Sequence, residues 1–230
     1  MSKDILNTGI LAASFLLLFG LAEVLYYKLK VKAELTRKLV HFGTGMITLL
    51  FPLMLSNHWF VLFLCASFAI ILLASMKFNM LKSINAIDRK SHGSILYPVA
   101  VYGCYLVYNY YPANLGEPVE ACIYFYLPIL TLAICDPLAA LLGKNFPYGK
   151  FKIGNDTKTL AGSFTFFISS IALTILVFLF FGKFESDLSH VILISTAIAF
   201  CGSIVEAISG SGTDNITIPA CVLATLILFL

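Results

Sequence analysis

Eight apolar runs, separated by short polar stretches, account for most of the chain. The runs are Ile5–Tyr27, Leu35–Leu55, Trp59–Met76, Gly93–Tyr111, Ala121–Leu142, Leu160–Phe181, His190–Ile208 and Asn215–Leu230. A helix that crosses a bilayer needs about 20 predominantly apolar residues, and every run except the last approaches that length. The pattern predicts an all-α, polytopic membrane bundle of about eight transmembrane helices. The last run is short, so its helix either just spans the membrane or spans only part of it.

Composition places the chain in the membrane class. Apolar residues make up 60% of it and charged residues only 12%, with a mean hydropathy of +0.93. Soluble domains carry about 45–50% apolar and about 25% charged residues. No polar stretch is long enough for an added soluble domain, so we expect one integral membrane catalytic domain over residues 1–230. The net charge of +3 does not indicate a nucleic-acid partner, because basic residues in such a chain first set its topology.

The basic residues are distributed asymmetrically. Thirteen of the fifteen Lys and Arg residues lie in Lys28–Lys38, Lys77–Lys90 and Lys144–Lys158, and the other two are Lys3 and Lys183. Alternating spans bring the three stretches to one side of the membrane. The positive-inside rule predicts that this side is cytoplasmic and that both termini lie outside.

The first polar cluster is Arg37-Lys38, followed by His41, Gly43 and Gly45. Arg37 and His41 are four residues apart and share one helix face. Cations and an imidazole at a helix entry suit a phosphate chain. Alternatively, the basic side chains only orient the helix and extend to the membrane interface. This explains Arg37 and Lys38 but not His41, which lies one turn deeper. The two glycines indicate close helix packing rather than chemistry.

A second cluster, Asp88–Gly93, leads into Tyr97-Pro98. A charged loop between helices is commonly just solvated. The cluster therefore leaves a functional and a structural interpretation equally open.

The third cluster begins with Asp136-Pro137, which lies inside an apolar run. A carboxylate within a membrane span is costly and is a functional candidate by default. Pro137 frees backbone carbonyls that could add oxygen ligands. Glycine and lysine then alternate before the next helix, an arrangement that gathers N–H and ammonium groups around phosphates. The residues are Gly143, Lys144, Gly149, Lys150, Gly154, Thr157, Lys158, Thr159, Gly162 and Ser163.

The fourth cluster consists of Glu206, at the end of one run, and Asp214-Asn215, at the start of the next. Asp214 could simply cap a helix. Capping does not account for Glu206 or Asn215. Carboxylate and amide oxygens suit a hard cation such as Mg²⁺.

Taken together, the clusters resemble the polyprenol kinase family, which contains dolichol kinases, phytol kinases and CTP-dependent diacylglycerol kinases. The shared elements, in order between Glu34 and Pro219, are Arg37-Lys38-x-x-His41, Gly93-x-x-x-Tyr97-Pro98, Asp136-Pro137-x-Ala139 with Gly143, Lys158-Thr159-x-x-Gly162-Ser163, Glu206, and Asp214-Asn215-x-Thr217-x-Pro219. The resemblance implies transfer of the γ-phosphate of CTP to the hydroxyl of an isoprenoid alcohol or similar lipid, with a divalent metal. The family is related to phosphatidate cytidylyltransferases, but the chain lacks their GHGG and DRxD-like signature.

This chemistry assigns a role to each candidate residue. Asp136 and Asp214, with Asn215, would hold Mg²⁺ or Mn²⁺, while Lys158 and Arg37 would neutralise phosphate charge. Glu206 or His41 would accept the proton of the alcohol. The remaining residues expected to contact the nucleotide are Lys38, Gly143, Lys144, Thr159, Gly162 and Ser163.

Two other functions remain open from the sequence. Cytidylyl transfer would give a CDP-lipid and diphosphate, whereas a kinase gives CDP and a lipid monophosphate. A transporter would also contain polar groups within its spans, but more often at the midplane. The identity of the alcohol, the choice of CTP over ATP and the oligomeric state do not follow from the sequence.

Overall fold

A computed structural model describes residues 2–86, 92–110, 121–154, 156–181 and 188–230. Residues 88–91 of the second cluster, which runs over Asp88–Gly93, and Lys183 lie outside the described residues. Two strands, β1 (Lys150–Ile153) and β2 (Asp156–Thr159), accompany a mostly helical chain. The helices are α1 (Ser2–Tyr27), α2 (Ala33–Thr48), α3 (Phe51–Met54), α4 (His58–Lys77), α5 (Lys82–Asn85), α6 (Gly93–Tyr110), α7 (Ile123–Leu130), α8 (Asp136–Asn145), α9 (Leu160–Phe181), α10 (Leu188–Ile208) and α11 (Asp214–Phe229).

Among the described residues, five helical segments are long and apolar enough to cross a membrane. They are α1, α4, the continuous segment Ile123–Asn145 that contains α7 and α8, α9 and α10. The chain is therefore an integral, multi-pass membrane protein. In the part of the chain that the structure describes, the helices of three further apolar runs are too short or too polar to be counted with these five. The α2 helix has 16 residues and carries Arg37 and Lys38, α6 contains several tyrosines, and α11 has 16 residues.

The second apolar run forms two helices instead of the single helix predicted over Leu35–Leu55. The cause is Pro52, which has no N–H to donate to the carbonyl of Thr48, so α2 ends at Thr48. After α3 the chain becomes extended at Leu55, with φ −116° and ψ 121°. The hydroxyl of Tyr105 on α6 donates to the Leu55 carbonyl at 2.9 Å and holds this end of the hairpin.

The all-α prediction is wrong for residues 150–159. Strands β1 and β2 pair antiparallel, with Lys150 opposite Thr159 and Ile153 opposite Asp156. Gly154 adopts a φ of +57° in the turn, a conformation that glycine reaches without steric cost. The hairpin lies directly before α9 and therefore determines where Lys158 is presented.

Small residues allow the helices that carry the site to pack closely. A side chain at Gly45 on α2 would collide with Ala133, and one at Gly43 would lie 2.8 Å from Leu18 of α1. The packing interpretation of these two glycines is confirmed. A side chain at Gly143 on α8 would meet Gly162 on α9, 3.1 Å away.

One end of the bundle, which we call the basic end, contains residues 28–38, 77–86, 143–154, 156–162 and 206–215. Lys144 forms an ion pair with Glu34, and the hydroxyl of Thr36 donates to the Ser83 carbonyl at 2.5 Å. The opposite end contains the start of α1, where the Asp4 carboxylate accepts hydrogen bonds from the backbone and hydroxyl of Ser56 at 3.1 and 2.7 Å. The described parts of the three basic stretches therefore lie together at one end, as their alternation with apolar runs predicted.

Candidate active site

A polar cavity of about 470 Å³ lies at the basic end, between α2, α8, the hairpin, α10 and α11. Ten of the thirteen residues predicted for the site line it, namely Arg37, Lys38, Asp136, Gly143, Lys144, Lys158, Thr159, Gly162, Glu206 and Asp214. The other three are nearby. Ser163 contacts Glu206, whereas His41 and Asn215 line a second, apolar cavity that shares Arg37 with the first.

An ion pair between Lys158 and Glu206 forms the centre of the polar cavity. The Lys158 ammonium donates to Oε1 of Glu206 at 2.5 Å, and the Ser163 hydroxyl donates to Oε2 at 3.2 Å. Only 16% of the Lys158 side chain and 5% of the Glu206 side chain are exposed. Burial opposes the charged form of Lys158, but the Glu206 carboxylate and its hydrogen bond raise the pKa of Lys158 above its ordinary value. Lys158 is therefore a cation at neutral pH, and both oxygens of Glu206 are already engaged.

Two further carboxylates, Asp136 and Asp214, also raise the pKa of Lys158 and so lie within electrostatic reach of it. Asp214 is the first residue of α11, and its Oδ1 accepts a hydrogen bond from the Asn215 N–H at 3.0 Å. The residue in the N-cap position is Thr213, so the capping interpretation of Asp214 does not hold. Three carboxylates around one ammonium leave the centre of the cavity acidic, while Arg37, Lys38 and Lys144 make its wall basic.

The residues of the polar cavity can bind a hard divalent cation only if phosphate oxygens of a bound ligand, or water, complete its coordination. Among the described residues, no three His, Cys, Asp or Glu side chains are close enough to form a metal site by themselves. Asp136 and Asp214 nevertheless line the same cavity. Mg²⁺ commonly takes one or two carboxylates and completes its shell with phosphate oxygens and water. Asn215 lines the apolar cavity instead, which separates its side chain from the predicted ligand set.

His41 is held by a carbonyl that Pro137 leaves without a helical partner. Residues Thr131–Cys135 form a π-helical turn, in which the N–H of Asp136 donates to the carbonyl of Thr131. The carbonyl of Leu132 would need Asp136 or Pro137 as donor, but the first is engaged and the second has no N–H. Nε2 of His41 lies 3.0 Å from this carbonyl. A carbonyl only accepts, so Nε2 carries the proton and the ring can accept another only at Nδ1.

The N-terminus of α9 does not offer free N–H groups to an anion. The N–H of Leu160 donates to the Gly149 carbonyl at 3.1 Å, and that of Ala161 to the Tyr148 carbonyl at 3.4 Å. The N–H of Gly162 donates to the Thr159 hydroxyl at 3.0 Å. Thr159 therefore caps the helix, and Gly162 packs against α8. The side chain of Lys158, rather than the helix backbone, is the group at this position that remains able to bind phosphate.

Lys144 is tethered at the outer edge of the polar cavity by its ion pair with Glu34. The side chains of both residues are well exposed, at 66% and 47%. An exposed pair of this kind contributes little to stability. Lys144 can therefore exchange Glu34 for an incoming anion at low cost.

Asp156 is a site residue that the sequence analysis missed. It is 6% exposed, lines the polar cavity and accepts a hydrogen bond from the Ser211 N–H at 2.5 Å. Ser211 and Gly212 have positive φ values of 54° and 87° in the turn before α11. Asp156 thus ties the hairpin that carries Lys158 to the turn that carries Asp214. A lone carboxylate within a basic loop was the signal that could have identified it.

The fold and the polar cavity define an integral membrane protein with a charged site at one end, built to hold an anionic ligand between cations and carboxylates. The chain is 30% identical over 210 residues to a phytol kinase from Synechocystis sp., and the alignment covers 91% of this chain and 85% of that protein. The chain belongs to the phytol kinase and polyprenol kinase family of lipid kinases. No protein-family model matches it, and no solved structure matches it.

Proposed function

We propose that the protein transfers the γ-phosphate of CTP to the hydroxyl of an isoprenoid alcohol of the phytol, farnesol or polyprenol/dolichol type. The observation that carries this proposal is the convergence of Lys158, Arg37 and the carboxylates Asp136, Glu206 and Asp214 on one cavity at one end of a membrane bundle. A nucleotide is water-soluble and the acceptor is a lipid, so their reaction requires a polar site at the membrane surface. The relative named phytol kinase supports the class of acceptor.

Lys158 is the principal phosphate contact in this proposal. Phosphoryl transfer passes through a loose transition state, so catalysis depends on positioning and charge neutralisation. A lysine ammonium has three donors, and Glu206 uses one of them. The other two remain for phosphate oxygens, and Arg37 adds a second cation for the leaving diphosphate. Glu206 thus acts by positioning Lys158.

Asp136 and Asp214 would hold Mg²⁺ or Mn²⁺. When bound, the metal would supply positive charge to the phosphate oxygens during transfer. The alcohol proton needs only a weak base, because bonding to the attacking oxygen is slight in a loose transition state and little positive charge develops on that oxygen. We assign this role to His41 through Nδ1, because both oxygens of Glu206 are engaged.

We also propose that the basic end faces the cytoplasm, where CTP is available, and that the protein has about eight spans. The five long segments would be joined by α2 with α3, by α6 and by α11. Their directions support this count, since α2, α6 and α11 each begin at the basic end and extend toward the opposite one. Residues 1–230 would then form one catalytic domain.

An acceptor and donor panel tests the proposed function. Purified protein in detergent is incubated with CTP or ATP and with phytol, farnesol, undecaprenol or diacylglycerol. The expected products are CDP and an isoprenoid monophosphate, with CTP preferred to ATP and with no product from Lys158→Met. Turnover of diacylglycerol alone, or no lipid phosphate from any alcohol, would contradict the proposal.

A further inference from the structure

The apolar cavity that shares Arg37 with the polar cavity is bordered mainly by α1, α2, α4 and α6. Its volume is about 100 Å³, and its walls are almost entirely hydrocarbon. Four phenylalanine rings form much of the wall, with Phe15 centred 4.7 Å from Phe68 and 6.2 Å from Phe51, and Phe19 centred 5.8 Å from Phe68. An apolar space at this position, between helices and beside a charged site, suits a hydrocarbon chain.

The cavity has one polar end, and that end adjoins the polar cavity. Arg37 borders both spaces, and the neighbouring residues Asp214 and Asn215 border the polar and the apolar one respectively. His41 and Tyr97 complete the polar end of the apolar cavity, with ring centres 4.8 Å apart. A molecule with an apolar tail and a single hydroxyl would match this polarity along its length.

The hydroxyl of Tyr97 adds an independent observation. Tyr97 is only 6% exposed, it lines the apolar cavity, and its Oη has no hydrogen-bond partner among the residues that the structure describes. A buried hydroxyl without a partner is costly, and native proteins rarely keep one without a reason. An alcohol oxygen bound at this end of the cavity would provide the missing partner.

The apolar cavity extends along α2, away from Arg37. The α2 residues that line it run along one face from Arg37 to Thr48, which corresponds to about 16 Å of helix. This is roughly half the thickness of the hydrocarbon core of a bilayer. Phe51 and Leu64, each 1% exposed, line the end farther from Arg37.

We propose that the apolar cavity is part of the acceptor site, in which the hydroxyl-bearing end of the isoprenoid chain lies between α1, α2, α4 and α6 and the hydroxyl contacts Tyr97. This inference rests on the proposed function and deepens it. With a volume of about 100 Å³, the cavity holds only part of an isoprenoid chain, and the rest of the tail extends out of it between the helices.

Two matched pairs of variants test the acceptor site. Tyr97→Phe removes only the hydroxyl and should raise the KM for phytol about two- to tenfold while leaving the KM for CTP unchanged. Its control is Tyr105→Phe, since the Tyr105 hydroxyl bonds the Leu55 carbonyl at 2.9 Å and serves the fold. Tyr105→Phe should lower the melting temperature and leave the KM for phytol as in the unaltered protein.

The second pair fills the cavity. Val101 is 1% exposed and lines it, whereas Val99 on the same helix is 51% exposed. Val101→Phe should raise the KM for phytol at least about tenfold, because the larger side chain would take up space that the acceptor needs. Val99→Phe should leave that KM unchanged. If Val101→Phe does not fold, Tyr97→Phe decides the matter.

The outcomes separate the two proposals. A protein that phosphorylates phytol, but in which Tyr97→Phe and every folded cavity variant keep the normal KM for phytol, would overturn the acceptor site and leave the kinase function intact. A protein that phosphorylates no alcohol of any length would overturn the proposed function itself.

Discussion

The ion pair between Lys158 and Glu206 leads to a prediction that separates its structural role from its catalytic one. Glu206 is 4% exposed and the Lys158 side chain 16%, so Lys158→Met leaves a buried carboxylate whose remaining hydrogen-bond donor is Ser163. Removing one partner of a buried pair costs about 3–5 kcal/mol. In a chain of this size that corresponds to a fall in melting temperature of roughly 6–20 °C. Turnover should fall at least about a hundredfold, because a cation at the transferred phosphate is lost.

A double variant completes this experiment. Lys158→Met combined with Glu206→Met replaces both charges by apolar groups of similar volume, which is often neutral or stabilising for a buried pair. The double variant should therefore recover most of the lost melting temperature, measured in the same detergent, and remain inactive. Recovery of activity along with stability would refute the catalytic assignment of Lys158. An unchanged melting temperature in the single variant would refute the structural argument.

Three further predictions concern the metal, the topology and the pH profile. Asp136→Asn and Asp214→Asn should each reduce turnover at least about a hundredfold with little change in folded yield. A chelator should abolish turnover until Mg²⁺ is restored. Near-normal activity in either variant would show that the substituted aspartate is not part of the site. In a cysteine-free background, Lys152→Cys should react with an impermeant thiol reagent only from the cytoplasm and Ser56→Cys only from outside; the reverse pattern would invert the topology. Glu206 raises the pKa of Lys158, so Lys158 stays charged as the pH rises past the ordinary lysine range. Glu206→Gln removes this effect and should shift any alkaline loss of kcat to lower pH. An alkaline limb of the pH profile that does not shift would show that the ion pair does not affect catalysis.

The parts of the site that could be predicted from sequence are those fixed by long apolar runs and by charge. The α9 helix spans Leu160–Phe181, the range predicted for it, because a run of that length has few alternatives to a membrane helix. Once the spans alternate, the end of the span that contains Asp136, the stretch Lys144–Lys158 and the turn that leads into Asp214 must meet at the same end. Their shared cavity is a consequence of that alternation.

The hairpin could not be predicted from the length of apolar runs. Lys150–Ile153 alternates charged and apolar residues, which is a strand pattern, but the run is only four residues long. Its glycines and lysines are equally typical of a loop. Because the hairpin was missed, so was its effect on α9, whose first N–H groups bond to the carbonyls of Tyr148 and Gly149. The predicted phosphate contact through the helix N-terminus fails for this reason.

The position of His41 depends on contacts that no local pattern encodes. Its partner Leu132 lies 91 residues farther along the chain. Pro137 in the sequence indicates that a backbone carbonyl lacks its helical partner, but nothing in the sequence indicates which residue bonds to that carbonyl. The buried hydroxyl of Tyr97 and the tether from Asp156 to Ser211 are likewise products of tertiary packing.

One measurement tests the central claim most directly. The purified protein is given phytol and CTP that carries a label on either the γ- or the α-phosphate. Phosphoryl transfer predicts that the label enters the lipid from the γ-position only, and that Lys158→Met prevents it. Label that enters the lipid from the α-position would instead show nucleotidyl transfer, and a lipid that remains unlabelled in both reactions would contradict the assignment as a phytol-type kinase.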